Sequence, residues 1–408
     1  MSTDDKDLEN FYRQQLTDLE LKPSDNLWIK IEASLRPTIS LLLSISIIGS
    51  TAWVYFATKK EVQLPFKTNR ISATKSDSIP SLSETYKDYF PIGTAIYTGY
   101  LGDPERDAFI TKQYASLTPE DQMKPLALQP QEGVFDFRAA DKLVDFATQH
   151  RLKVRGHCLV WFHRMPNWFY KDGNKLAQKK LILKRLKDHI SKVAKRYKGK
   201  VYCWDVVNEA VTWRRGEFFK SEDTLYQILG EEYITKSFQY AHEADPDAKL
   251  FYNEIWFNDP EKSKQLFQFI KKLKSKGVPI DGIGMQCHLT ILGTSETRLQ
   301  ETIDKYHSIG VEFQITELDI SIYQKSDPAS VKYEKEEYSE EIQIKQAELF
   351  EMIFRVCRKN KEKVTGITLW APSDGNNYLS KWLKKGNYPY LFDRDLKPKK
   401  AFYRVVEF

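Results

Sequence analysis

The chain has 408 residues, 41% of them hydrophobic, and a formal net charge of +6 from 62 basic and 56 acidic side chains. That length accommodates one α/β barrel, which takes about 250 residues, plus an accessory segment. The basic residues are interspersed with acidic ones and form no block that could track a phosphate backbone, which argues against nucleic acid as a partner.

Residues 1–36 hold two stretches with apolar residues at helical spacing, 7–16 and 26–35. Pro23, Ser24 and Asp25 separate them, and Ser24 or Asp25 suits a helix N-cap. No residue from 37 to 58 is charged, and the apolar run 39–56 approaches the ~20 residues of a membrane-spanning helix. Trp53 and Tyr55 lie near one end of it, where interfacial aromatics belong. A cleaved signal peptide is a rival reading, but the long polar stretch ahead of the run argues against it. A helix buried in a soluble domain is the third. The expectation is a single-pass membrane anchor at 37–58. Residues 1–36 resemble the short cytoplasmic N-terminal segments of bacterial membrane-anchored anti-sigma-type regulators. That likeness implies a cytoplasmic regulatory partner; a solvated tail without a partner is the competing reading.

Lys59, Lys60, Lys67, Arg70 and Lys75 follow the apolar run, while only Lys22, Lys30 and Arg36 closely precede it. A positive-inside count thus favours a cytoplasmic C-terminal side, yet large domains translocate regardless of such counts. The expectation is an N-terminus in the cytoplasm and the C-terminal domain outside it. Residues 59–85, rich in Ser, Thr and Lys, read as a linker.

From residue 86 to 408 strand-like and helix-like stretches alternate. Short β-branched runs fall at 91–96, 152–157, 201–207, 249–253, 282–288, 311–318 and 364–370, with a further short strand near 114–117. Helical periodicity marks 139–150, 176–196, 224–244, 261–276, 297–308 and 339–360. Eight strands alternating with helices predict a (β/α)8 barrel. A doubly wound open sheet is the alternative, but no Gly-rich phosphate loop follows the first strand. Cys158, Cys203, Cys287 and Cys357 form no CxxC pair and read as small buried thiols, a disulfide being the alternative. No metal or cofactor is expected.

A barrel of this type places its active site at the C-terminal strand ends. Those ends carry His157, Asn208 and Glu209, Asn253 and Glu254, His288, Glu317 and Trp370. Two carboxylates on different strands, Glu209 and Glu317, supply what glycoside hydrolysis needs, one to protonate the leaving oxygen and one to attack or to activate water.

Trp204-Asp205-Val206-Val207-Asn208-Glu209 and Ile315-Thr316-Glu317-Leu318-Asp319 resemble the acid/base and nucleophile motifs of glycoside hydrolase family 10, the xylanases. The likeness includes Met123-Lys124-Pro125, Arg155-Gly156-His157-Cys158-Leu159-Val160-Trp161, Gly282-Ile283-Gly284-Met285-Gln286-Cys287-His288 and Leu391-Phe392-Asp393, over roughly the last four-fifths of the chain. It implies an eight-stranded barrel and retaining, endo-acting cleavage of xylan or xylo-oligosaccharides, with Glu209 as acid/base and Glu317 as nucleophile. Glu209 should then start protonated, its pKa raised by Glu317 and partial burial. By the same resemblance Asn208 contacts the sugar 2-OH, and His288, oriented by Asp319, donates to Glu317. Lys124, His157, Trp161, Gln286 and Trp370 line the substrate cleft, and Glu120 binds the next sugar.

Several positions depart from the family pattern. Asp121 stands for an Asn, Phe162 for a His, Arg164 for a Gln and Tyr378 for a Trp, and Asn253-Glu254-Ile255-Trp256 differs from the usual Asn-Asp-Tyr-Asn. Asp121 and Arg164 either pair with each other, leave Arg164 free to read an acidic side group, or are drift without consequence, since exposed charges often do little. Two functions compete: a membrane-tethered xylanase, and a xylan sensor with weak or no turnover that signals inward.

Overall fold

A computed structural model describes residues 79–408 apart from 213, 215, 256, 257, 327 and 333. The expected anchor at 37–58 and the segment 1–36 lie outside the described residues. Among the described residues no helix is long and apolar enough to cross a membrane.

Eight parallel strands form a closed barrel: β1 (Ile92–Ile96), β2 (Ser116–Pro119), β3 (Lys153–Trp161), β4 (Val201–Asn208), β5 (Lys249–Glu254), β6 (Gly282–Met285), β7 (Glu312–Ser321) and β8 (Val364–Leu369). They pair in chain order, and Ile92↔Ile367 with Ile315↔Ile367 join β8 to both β1 and β7. β1, β2 and β6 are buried at every residue. That is why they read as continuous apolar runs rather than as alternating ones: a parallel sheet is covered on both faces. Several of the surrounding helices start where a side chain satisfies a free backbone N–H group. Asp103 caps Pro104–Gln113, Asp259 caps Pro260–Ser275 and Ser339 caps Glu340–Lys359.

The folded body begins earlier than expected, because Leu82–Tyr86 is a helix capped by Ser81. Leu82 and Tyr86 are fully buried, and the Tyr86 hydroxyl donates to the Val405 carbonyl at 2.6 Å. The segment read as a linker over 59–85 therefore overlaps the barrel at its C-terminal end.

Other boundaries shift for local reasons. A helix read at 224–244 is two, Thr224–Leu229 and Glu232–Ala244, because Gly230 sits at φ 57° and ends the first. The helix read from 176 starts at Lys179, since Lys175–Leu176 pairs with Lys171–Asp172 instead. Tyr114 closes the helix Pro104–Gln113, which displaces the expected strand 114–117 to Ser116–Pro119. The run 282–288 is broken at Cys287, whose φ of 60° separates β6 from a short strand, His288–Thr290, beside β7. All four cysteines are free and buried.

Candidate active site

Glu209 follows the last residue of β4, and its φ of 55° is left-handed, a conformation a side chain tolerates only when its surroundings hold it there. Its backbone N–H donates to the Asn253 carbonyl at 3.0 Å, which continues the β4–β5 ladder past the turn. Glu317 lies inside β7, where its N–H donates to the Gln286 carbonyl at 3.0 Å. The two side chains are tied into one hydrogen-bond network at the C-terminal mouth. Gln286 Nε2 donates to Glu209 Oε1 at 2.9 Å and reaches Asn208 Oδ1 at 3.4 Å. Asn253 Nδ2 donates to the same Asn208 oxygen at 2.8 Å and to Glu317 Oε1 at 2.7 Å. Thr316 fixes the Asn253 amide by donating to its Oδ1 at 2.7 Å. Neither carboxylate is sealed off, the Glu317 side chain being 6% exposed and that of Glu209 20%.

On the Glu317 side the charges follow from the neighbours. His288 Nε2 is 3.2 Å from Glu317 Oε2, and Nδ1 is 2.7 Å from Asp319 Oδ2. Burial disfavours an imidazolium here, but the two carboxylates outweigh it and push the His288 pKa up to about 10. His288 is thus a cation that donates to both acids. The Tyr378 hydroxyl lies 3.2 Å from the same Nδ1, and the Trp370 ring stands edge-on to both His157 and His288.

Glu209 differs from expectation. Burial raises its pKa, yet Lys220 foremost, with the Gln286 amide and His288, holds it below the usual carboxylate value. Lys220 Nζ is 3.6 Å from Glu209 Oε2, and Trp161 Nε1 donates to the same oxygen at 3.3 Å. The ionised form of Glu209 is accordingly favoured, because the Lys220 ammonium and the Gln286 amide outweigh the effect of burial.

Lys124 lies over the Trp161 ring, 4.8 Å from its centroid, and binds Asp121 Oδ1 at 2.8 Å. The expected Asp121–Arg164 pair forms only at 3.5 Å, so Lys124 is the closer partner. Glu120 is half-buried beside Asp121, and burial plus that like charge push its pKa up to about 7. His157 Nδ1 is 2.9 Å from Asp205, which is also paired with the fully buried Arg155. Among the described residues, the structure brings Glu120, Lys124, His157, Trp161, Asn208, Glu209, Gln286, His288, Glu317, Asp319, Trp370 and Tyr378 to this end of the barrel. It adds Lys220 and His163, and gives contacts to Asn253, Glu254 and Asp205, which the sequence had placed at strand ends or in a motif without a role. Asn253 and Glu254 end a strand and were legible as such, whereas His163 sits in a single 3-10 turn, Phe162–Arg164, and Lys220 outside any helix or strand, where no periodic signal marks them.

The model of glycosyl hydrolase family 10 matches residues 81–408. The chain belongs to that family. It is therefore a glycoside hydrolase. A β-1,4-xylanase of Dictyoglomus thermophilum is 45% identical, the match covering 82% of this chain and 92% of that protein. Endo-1,4-β-xylanase B of Paenibacillus barcinonensis is 38% identical over 81% of this chain and 99% of its own. Among solved structures, a mutant in complex with xylotriose superposes with a TM-score of 0.77 at 37% identity, covering 81% of this chain and all of that one.

Proposed function

We propose that this family 10 enzyme hydrolyses internal β-1,4-xylosidic bonds of xylan with retention. Glu317 attacks the anomeric carbon while Glu209 gives its proton to the departing oxygen; water then displaces Glu317 and passes a proton to Glu209. The observation that carries the reading is the Asn208–Asn253–Gln286 network, which ties both carboxylates to one cleft. His288 Nε2 and Asn253 Nδ2 each hold one Glu317 oxygen, which fixes the carboxylate in the orientation that attack requires. Asn208, whose Nδ2 lies 3.3 Å from Glu209 Oε1, stands where a sugar hydroxyl could exchange for a network contact. The xylanase names of the relatives and the xylotriose held by a structural neighbour support the substrate.

Reducing-sugar release from xylan, with the anomer of the first product read by NMR, tests the proposal. Wild type should release sugar with retained configuration, and Glu317→Ala should lose activity by at least about 10⁴-fold, the scale on which removing a nucleophile acts. An inverted product would refute the nucleophile assignment, and an inactive wild type would return the sensor reading. The paired, solvent-reachable carboxylates favour turnover over that reading. Residues 37–58 are proposed as a single-pass anchor that keeps the barrel on the extracytoplasmic side, where polysaccharide is found.

A further inference from the structure

Directly after Glu209 the chain makes a flap that returns to it. Val211 pairs antiparallel with Phe219, Thr212 N–H donates to the Phe218 carbonyl at 2.9 Å, and Lys220 N–H donates to the Ala210 carbonyl at 3.1 Å. The return delivers the Lys220 ammonium to Glu209, with its Nζ 4.7 Å from the Phe162 ring centroid. The Lys220 side chain is only 9% exposed. The base of the flap is pinned by Glu254, a fully buried carboxyl that accepts from Val211 N–H at 3.1 Å, Ile255 N–H at 3.0 Å and the Tyr252 hydroxyl at 3.3 Å. None of this is needed to fold a barrel, and a buried ammonium beside an acid/base carboxylate opposes the protonated state that the first chemical step requires.

We infer that Lys220 is a positioning residue for Glu209 that serves the second, water-activating step of the reaction at the expense of the first. In the first step the Glu317–carbon bond forms, the glycosidic bond breaks, and the Glu209 proton leaves with the departing oxygen. In the second, water attacks the same carbon, the Glu317–carbon bond breaks, and the water proton passes to Glu209. Glu209 must be ionised for that transfer, and Lys220 favours this form. The other groups that act on Glu209 do not replace it. His163, from the turn after β3, is driven down to about 4 by burial and by Lys220, so it is neutral across the working range. His288, beside β7, is engaged by Glu317 and Asp319. Glu254, from β5, is pushed up to about 8, mainly by burial, and so stays neutral beside Glu209 below that pH. Glu317, Trp161, Asn208, Gln286 and Tyr378 carry no cation. Lys220 is therefore the ammonium that Glu209 meets when Glu317 is esterified and its charge is gone.

The inference rests on Glu209 being the acid/base, and the test separates the two. The full chain and its Lys220→Met, Lys220→Gln and Lys220→Arg variants are assayed on xylan and on 2,4-dinitrophenyl β-xylobioside, whose leaving group needs no proton. In Lys220→Met the alkaline limb of kcat/KM on xylan should move up by about one pH unit, as loss of an opposite charge at this range predicts. The acidic limb of kcat on the aryl substrate, where release of the sugar from Glu317 limits, should move up by a similar amount. Lys220→Arg should leave both limbs in place, and Lys220→Gln should follow Met, so a Met variant that fails to fold does not end the test. Unmoved limbs in a folded neutral variant, or an Arg variant that shifts as far as Met, would overturn the inference. Wild type with no turnover of either substrate would overturn the Glu209 assignment instead.

Discussion

Gly284 lies in β6 with its Cα hydrogen pointing at the network that joins the two carboxylates, and replacing it by alanine is a direct test of that network. A Cβ there would stand 2.3 Å from Asn253 Oδ1, 2.8 Å from Thr316 Cγ2 and 3.2 Å from Arg155 Nη2. Restoring van der Waals separation requires the Asn253 amide to retreat by roughly 1 Å. It has little freedom to do so, since it is fully buried and makes hydrogen bonds of 2.7, 2.8 and 2.7 Å to Thr316, Asn208 and Glu317. Overpacking a filled interior costs about 1–3 kcal/mol, and a lost hydrogen bond to a charged group about 1.5–3 kcal/mol more. Gly284→Ala should thus lose about 3–5 kcal/mol. With an unfolding entropy of about 2.1 cal/mol/K per residue over roughly 330 described residues, that lowers Tm by roughly 4–7 °C. Displacing a contact to Glu317 by roughly 1 Å should lower kcat about 10²-fold. Gly366→Ala is the control, because its Cβ would come no nearer than 3.3 Å, to the Gln314 side chain. Calorimetry and initial rates on xylan read both variants. Wild-type Tm and kcat in Gly284→Ala, or an equal loss in Gly366→Ala, would refute the account of the network.

Asp205 is buried and shared by Arg155 and His157, with Arg155 also donating to Gln314 Oε1 at 2.6 Å. Asp205→Ala leaves the guanidinium without its counter-ion and should cost about 3–5 kcal/mol in urea denaturation, whereas replacing Arg155 by Met and Asp205 by Leu together should recover part of the loss; a single-variant cost below about 1 kcal/mol would show that Gln314 suffices. For the proposed anchor, the full chain should remain with cell membranes through an alkaline carbonate wash and leave them in detergent, while a chain lacking residues 1–58 should be released without either; recovery of the full chain in the carbonate supernatant would remove that proposal.

Most of the strands were legible in the sequence because burial on both faces makes them apolar, often β-branched, runs, whereas the short Ser116–Pro119 strand was displaced from its expected place. The two glutamates were legible because they close or occupy such runs in a family-specific order. Failures of reading had local causes that periodicity does not encode. Cys287 adopts a left-handed conformation with no glycine to announce it, so the break that swings His288 toward Glu317 and Asp319 was invisible. Leu82–Tyr86 is too short to show a helical period, and its place in the fold depends on a contact with Val405 at the far end of the chain.

By itself the sequence determined the barrel, through backbone periodicity, and nominated the two acids, through strand-end position and the likeness of their motifs to family 10. Only the tertiary structure decided their charge states. The ionised Glu209, the cationic His288 and the neutral Glu254 each result from groups that different strands and the Lys220 flap bring within a few ångströms. Electrostatic energy depends on distance and burial, and neither can be read along the chain.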